Sequence, residues 1–286
     1  MAGRLVLRTQ ATELEIHLMA AKIDWDPIRR LAQQVLDQGA PLELTDEVRT
    51  LLQRSAEEVA IPAEEAKKAL RTLRTTKALL RKISRRIKVG SERLGKARAR
   101  AYRLRDSGNL ERARQQIEKV LAVEVVPLYR EHAENVLSNI SRFQAVVATG
   151  QADPELPERA QLLLLLRRVQ HGKPLELTDG MRAFLRRAAA AVAMSEIETE
   201  EAIVTPEAAG ALLGKIMARF DEGAGRIKSA LDRMMELQGM GDLEGARQQM
   251  HDVLRVETIP LYRRMAEEHL AGLCEQALLS GKLRKE

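Results

Sequence analysis

The chain has 286 residues, of which 45% are hydrophobic and 31% charged, and its formal net charge is +6. This balance is typical of globular proteins and excludes a disordered or fibrous chain. Aromatic residues make up only 2% of the sequence while Ala, Leu, Arg and Glu are abundant, which favours helices and excludes an all-β fold.

Cysteine content and hydropathy indicate the compartment. The single cysteine, Cys274, has no partner for an intrachain disulfide, which favours a reducing environment. The leucine run at residues 162–166 is far shorter than a membrane span, and Arg4, Arg8 and Glu13 interrupt any N-terminal signal peptide. We therefore expect a cytoplasmic protein without a membrane span.

The sequence contains a tandem repeat. Residues 41–46, Pro-Leu-Glu-Leu-Thr-Asp, recur as residues 174–179, and the same offset relates residues 127–130 to 260–263. Recurrence of several motifs at one spacing indicates duplication of a whole unit. The predicted organisation is an N-terminal extension (1–24), a first repeat (25–148), a linker rich in turn residues (149–157), a second repeat (158–280) and a basic tail (281–286).

Each repeat is predicted to start with short helices. In the first repeat, Asp26 is expected as the N-cap of one helix, and Thr45 or Asp46 as the N-cap of the next. Pro62 is expected to open a third. In the second repeat Thr205 precedes a proline and marks a helix start, so the fourth helix of the first repeat is placed from about Thr75.

A long antiparallel hairpin follows in each repeat. The fourth helix has apolar or small residues at spacings of three and four, typical of a packed helical seam. In the first repeat they are Leu80, Ile83, Ile87, Gly90, Leu94, Ala97, Ala101 and Leu104. Turn residues at 106–109 and 239–242 reverse the chain, and Pro127 and Pro260 should kink the return helix or start a new one. The predicted fold class is all-α, with two tandem helical bundles.

Three motifs of the first repeat are similar to those of a known family. They are Gly-x-Pro-Leu-Glu-Leu-Thr-Asp at residues 39–46, Gly-Asn-Leu-Glu-x-Ala-Arg at 108–114, and Val-Glu-Val-Val-Pro-Leu-Tyr-Arg at 123–130. On these residues the chain resembles the DUSAM domain, a paralogous domain of myxobacteria, over about residues 25–140 and 158–273. The resemblance implies a bacterial, cytoplasmic helical module without an established activity or catalytic residues.

No motif indicates catalysis or a cofactor. Residues 90–97 have the glycine and lysine spacing of a phosphate-binding P-loop but lack the preceding strand and the hydroxyl residue after the lysine, so we attribute the glycines to close helix packing. The five histidines lack the spacing of zinc or di-iron ligands, and Cys274 has no evident base. We expect neither enzymatic activity nor a metal or cofactor.

The duplication retains polar residues on the hairpin. Folding the hairpin predicts contacts of Arg100 with Glu111 or Gln115, of Arg93 with Glu124, and of Arg86 with Tyr129. The candidate polar cluster is Arg93, Glu124, Tyr129 and Arg130 with the second-repeat residues Arg226, Glu257, Tyr262 and Arg263. Salt bridges that set the helix register are one interpretation of this cluster, and a polar ligand pocket is the other.

Positive charge is concentrated in one repeat. From Arg71 to Arg105 there are 14 basic residues against Glu92 alone, whereas the matching window of the second repeat is nearly neutral. Such a helix could bind a phosphate backbone, an anionic lipid surface or an acidic protein, although basic residues also solvate long helices. The candidate anion-binding surface is Arg81, Lys82, Arg85, Arg86, Lys88, Arg93 and Lys96.

Two functions are compatible with these features. The first is a non-enzymatic interaction or scaffold protein that binds another protein or a second copy of itself, as duplication and long hairpins suggest. The second is a binder of nucleic acid or another polyanion through the basic helix 71–105, which would contact the backbone because aromatic residues for base stacking are scarce. The N-terminal extension could pack on the bundle or mediate self-association.

Overall fold

The computed structural model describes residues 23–283. Within this range the chain forms helices and no strands, so the predicted all-α class is confirmed. Two compact units divide the chain between Gln144 and Ala145. The predicted packing or self-association role of the N-terminal extension falls almost wholly on residues 1–22, which lie outside the described residues, as do residues 284–286 of the predicted tail.

Six helices occupy the first repeat and six the second. Those of the first are α1 (Asp26–Ala32), α2 (Asp46–Glu58), α3 (Ala63–Ala69), α4 (Leu73–Asp106), α5 (Leu110–Leu121) and α6 (Pro127–Thr149). Those of the second are α7 (Glu158–Gln170), α8 (Asp179–Ala191), α9 (Glu196–Ala202), α10 (Pro206–Gly239), α11 (Leu243–Val256) and α12 (Pro260–Leu283). The predicted linker, apart from Thr149 at the end of α6, lies between α6 and α7.

Local sequence explains where the short helices begin. Thr45 caps α2, because its hydroxyl accepts the Val48 amide hydrogen bond. Asp26 is not the expected N-cap: it is the first residue of α1, and the Asp24 carboxylate accepts its amide. α1 continues into a π-helical turn, Gln33–Asp37.

The hairpin is built around the 34-residue helix α4. It starts at Leu73, slightly before the predicted position, because the Thr72 side chain accepts the Thr75 amide and caps it. At about 1.5 Å per residue it is about 51 Å long. α5 returns along α4. A new helix, α6, then begins at Pro127, so this proline starts a helix and does not kink a continuous one. α10, α11 and α12 repeat this arrangement in the second repeat.

The apolar seam of α4 forms the centre of the first repeat. α4 contacts α1, α2, α3 and α5. The predicted seam residues Leu80, Ile83, Ile87, Gly90, Leu94 and Ala101 are buried. Because this face is covered by neighbouring helices, only the remaining face of α4 is exposed to solvent.

Candidate functional site

The candidate polar cluster of the first repeat assembles at the elbow between α5 and α6. The Glu124 side chain is only 1% exposed, and its Oε2 accepts a hydrogen bond from Arg93 Nη1 at 2.7 Å. Its Oε1 accepts from the backbone amides of Val125 and Val126 at 3.0 and 2.9 Å. The predicted Arg93–Glu124 contact is confirmed, and it joins α4 to the start of α6.

Tyr129 holds the same elbow against α4. Its hydroxyl donates to the Ile87 carbonyl oxygen at 2.9 Å, and burial raises the pKa of this phenol. A Cβ on Gly90 would lie 2.5 Å from the Tyr129 ring, so only glycine fits there without displacement of the ring. The attribution to close helix packing is therefore confirmed for Gly90 and wrong for Gly95, where a Cβ would meet nothing within 4 Å.

Arg130 satisfies backbone groups of the elbow. Its Nη1 donates to the carbonyl oxygens of Leu121 and Glu124 at 2.8 and 3.0 Å. Carbonyls at a helix C-terminus have no partner within the helix, so this guanidinium replaces the missing donors at the end of α5.

The second repeat contains the same network. Arg226 Nε donates to Glu257 Oε2 at 3.0 Å, and the Tyr262 hydroxyl donates to the Phe220 carbonyl oxygen at 3.0 Å. Arg263 Nη1 donates to the carbonyl oxygens of Leu254 and of Glu257 itself. All eight residues of the predicted cluster therefore bond within their own repeat, an arrangement that favours the register-setting interpretation over the ligand pocket.

Arg86, which was expected near Tyr129, bonds to a different part of the bundle. Its Nη1 donates to the carbonyl oxygens of Val59 and Ala60 at 2.7 and 2.9 Å. These carbonyls end α2, where Ala60 takes a positive φ of 60°. The position of this turn could not be predicted from the hairpin register, which involves only α4 to α6. Arg219 makes the same two bonds in the second repeat.

Arg100 does not form the predicted contact at the hairpin tip. It is exposed and has no ion pair with any residue that the structure describes. The Glu111 carboxylate accepts a hydrogen bond from Gln115 on its own helix, at 3.3 Å. The predicted contact of Arg100 is therefore not formed, and Glu111 and Gln115 bond to each other along α5 instead.

Three of the seven candidate anion-binding residues are engaged within the bundle. Arg86 and Arg93 make the bonds given above, and Lys82 Nζ lies 2.5 Å from Glu65 Oε1 on α3. The second repeat keeps the third interaction as well, since Lys215 Nζ lies 2.7 Å from Glu198 Oε1. These three basic positions thus have the same internal partners in both repeats.

The other four candidates are exposed on one face of α4. Arg81, Arg85, Lys88 and Lys96 are solvent-exposed and form no ion pair with any part of the chain that the structure describes. Helical spacing places two further exposed residues on this face, which sequence analysis did not include. We call the whole set the basic stripe: Arg74, Arg81, Arg85, Lys88, Lys96 and Arg103.

The basic stripe is long and nearly continuous. At about 1.5 Å per residue its ends are about 44 Å apart along the helix axis. One acidic residue, Glu92, lies on the same face between Lys88 and Lys96. Arg74 and Arg103 could have been found from sequence, because each lies seven residues, or about two turns, from a candidate.

The second repeat lacks this stripe although it has the same helix. The equivalent positions of α10 carry no basic residue; they are Glu207, Gly214, Ala218, Asp221, Ser229 and Glu236. Lys82, Arg86 and Arg93, which bond within the bundle, therefore recur in the second repeat, whereas the residues of the basic stripe do not.

Two clefts lie near these residues, and neither concentrates one sign of charge. A cleft of 340 Å³ between α1 and α4 has Arg29 and Lys88 on its wall together with Asp37 and Glu92. A wider groove of 520 Å³ in the second repeat runs past Arg226, between α10 and α11. A cleft lined by both signs of charge does not favour a polyanion, so the exposed stripe is the candidate site.

Metal-ligand clusters and membrane-spanning helices are both absent from the described residues. Between residues 23 and 283, no group of three or more His, Cys, Asp or Glu side chains is placed to hold a metal ion. None of the helices described there combines the length and the apolar character needed to cross a membrane.

Comparison with known proteins identifies the repeat unit. A family model described as "Protein of unknown function (DUF2379)" matches residues 23–140 and again residues 157–273. The two matches confirm a tandem duplication of one domain, but they carry neither the DUSAM name nor an activity. No curated protein and no solved structure matches this chain.

Proposed function

The chain belongs to the DUF2379 family, whose function is unknown, and we propose from its geometry that it is a non-enzymatic binding protein whose basic stripe binds a polyanion. The observation that carries this proposal is the difference between the two repeats on the exposed face of their longest helix. Lys82, Arg86 and Arg93 have internal partners and recur in the second repeat, whereas the stripe does not recur.

The stripe is unfavourable for the helix that carries it. Arg81 and Arg85 are four residues apart and Arg85 and Lys88 three, spacings at which like charges destabilise a helix by about 0.2–0.5 kcal/mol per pair. α10 has the same length and fold without them, so the fold does not require the stripe. Six exposed cations along one line therefore support a role outside the bundle, namely attraction of a polymer of opposite charge.

Salt dependence is the direct test of this function. The full chain, freed of co-purifying nucleic acid, is titrated with duplex DNA and RNA at about 50 and about 200 mM salt, a range over which phosphate-driven binding weakens by orders of magnitude. If all six stripe cations contact phosphates, the logarithm of the binding constant should fall against the logarithm of salt with a slope no steeper than about −5.

A charge-matched pair of variants assigns the binding to the stripe. The stripe variant is Arg81→Gln, Arg85→Gln, Lys88→Gln and Lys96→Gln. The control removes four exposed cations from the second repeat and has the same net charge: Arg187→Gln, Arg233→Gln, Arg255→Gln and Arg264→Gln. We expect the stripe variant to lose at least tenfold in affinity and to have a shallower salt slope, while the control binds as the parent does.

The outcomes separate the two functions predicted from sequence. Equal losses in both variants would mean that net charge alone attracts the polymer, which contradicts the proposal. No binding at low salt would also contradict it and would favour a protein partner or self-association.

A cytoplasmic, bacterial setting is part of the proposal, supported by the single cysteine and by the DUSAM-like motif at residues 123–130.

A further inference from the structure

We infer that the polyanion is a double-helical nucleic acid, held through its phosphates without reading of the base sequence. This inference rests on the proposed function of the basic stripe and deepens it. Three kinds of polyanionic surface could meet such a stripe: an anionic membrane, a single strand and a duplex. The surroundings of α4 discriminate among them.

A membrane is disfavoured by what lies on and beside α4. Helices that bind at a lipid surface insert an apolar face, but the apolar face of α4 is buried in the bundle through residues such as Leu80 and Ile83. The flanking helices expose acidic residues, among them Asp37 next to α1 and Glu111 on α5. A flat anionic surface would meet these carboxylates together with the stripe, whereas a rod-shaped polymer can follow the stripe alone.

A single strand is disfavoured by the absence of a stacking surface. Proteins that bind single strands combine basic grooves with aromatic side chains on which bases stack. The aromatic residue of α4 is Tyr102, which is half-buried and lies under the guanidinium of Arg105, 4.8 Å from its ring centroid. The stripe itself consists of Arg and Lys side chains and contains no aromatic ring.

The straightness of the stripe favours phosphate contacts over the reading of bases in a duplex. The major groove is about 12 Å wide and admits one helix. The stripe runs straight for about 44 Å along a single helix, whereas the groove winds around the duplex, so α4 could follow the groove over only part of this length. Contacts along the whole stripe therefore fall on phosphates, which position a protein on DNA without specifying sequence.

The length of the stripe predicts the size of the binding site. A row of about 44 Å covers about 13 base pairs, at about 3.4 Å per base pair. A rigid helix keeps its cations in line, which suits a duplex because the duplex is also stiff over this length. The stripe should therefore need a duplex of about this length for full affinity.

The test compares labelled probes against the full chain at one low salt concentration. The probes are two duplex DNAs of unrelated sequence and about 24 base pairs, a duplex RNA of that length, their single strands, and a duplex of about 8 base pairs. Vesicles of phosphatidylcholine with phosphatidylserine provide the membrane arm. The stripe variant and its charge-matched control are measured with each probe, and circular dichroism checks that both are folded.

We expect the two long DNA duplexes to bind with affinities within about twofold of each other, because no base edge is reached. Single strands and the short duplex should bind at least about tenfold more weakly, and vesicles should not compete with the duplex. Comparison of the DNA and RNA duplexes shows which double helix supplies the phosphates.

Failure of this inference differs from failure of the proposed function. Tighter binding of single strands or of vesicles, lost in the stripe variant, would overturn the duplex and leave polyanion binding in place. A strong preference between the two DNA sequences would overturn phosphate-only contact. Absence of binding to every probe, or equal binding by the stripe variant, would overturn the proposed function itself.

Discussion

Gly90 lies so close to Tyr129 that a Cβ at this position would be 2.5 Å from the ring. The ring cannot easily move away, because its hydroxyl is bonded to the Ile87 carbonyl oxygen and its surroundings are buried. The second repeat has the same relationship between Gly223 and Tyr262. We therefore expect Gly90→Ala to lower the free energy of unfolding by about 1–3 kcal/mol through overpacking.

Gly95 provides the matched control on the same helix. A Cβ there would meet nothing within 4 Å. Gly95→Ala should raise the free energy of unfolding by about 0.5–1 kcal/mol, because alanine loses less backbone entropy than glycine in a helix. Urea denaturation of the two variants measures both effects, and stabilisation by both substitutions would show that the Tyr129 ring adapts.

A buried hydroxyl in the first repeat predicts a stabilising substitution. Ser55 is fully buried, and its Oγ has no hydrogen-bond partner among the described residues. The equivalent residue of the second repeat, Ala188, is fully buried as well. Ser55→Ala should therefore raise the free energy of unfolding by about 1 kcal/mol, since an unpaired buried hydroxyl is costly.

The reciprocal change tests the same reasoning. Ala188→Ser should lower stability, because it places an unpartnered hydroxyl in the equivalent position. Thermal unfolding of both variants is the measurement. A loss of stability in Ser55→Ala would mean that the Ser55 hydroxyl has a partner, for example an ordered water.

The buried Glu124 carboxylate connects α4 to the elbow. Glu124→Gln removes the charge that Arg93 faces and weakens the hydrogen bonds from the Val125 and Val126 amides, so we expect a loss of about 2 kcal/mol or more. Glu118→Gln is the control, because its pair with Arg114 is exposed to solvent and should contribute far less to stability. Equal effects in urea denaturation would contradict a structural role of the buried pair.

His132 makes stability dependent on pH. Burial lowers the pKa of this imidazole below 6.5; nearby Arg98 lowers it further and Glu131 opposes the shift. The unfolded chain therefore binds the proton more readily, and the stabilising contribution of neutral His132 should be lost as pH falls below 6.5. His132→Gln should flatten this dependence below pH 6.5. A pH profile unchanged by His132→Gln would contradict this role of His132.

Transfer of the stripe to α10 tests whether its residues are sufficient for binding. The recipient is the chain with the stripe variant, and the graft places Arg or Lys at the equivalent positions through Glu207→Arg, Gly214→Arg, Ala218→Arg, Asp221→Lys, Ser229→Lys and Glu236→Arg. α10 has the same length as α4 and packs against an equivalent hairpin helix. The graft should therefore raise the affinity of the recipient for duplex DNA by at least about tenfold. A folded graft without binding would show that residues beside α4 are also needed.

The sequence predicted those parts of the fold that depend on residues close together in the chain. The duplication, the helix starts at Thr45 and Thr205, and the Arg93–Glu124 pair follow from motifs, capping residues and hairpin register. The partners of Arg86 could not be predicted, because they are backbone carbonyls whose position no side chain reveals. Solvent exposure of Arg81 was also undecided, since the sequence does not show which face of α4 its neighbours cover.

The bonds from Arg86 to the end of α2 have a consequence for assembly. Ala60 adopts a left-handed backbone conformation that glycine usually occupies. The hydrogen-bond donor to its carbonyl oxygen, Arg86, lies 26 residues further along the chain. The corner between α2 and α3 is therefore a tertiary feature rather than a local turn. A growing or truncated chain that has not yet supplied α4 would lack this clamp, so the corner should take its final shape only when the hairpin docks.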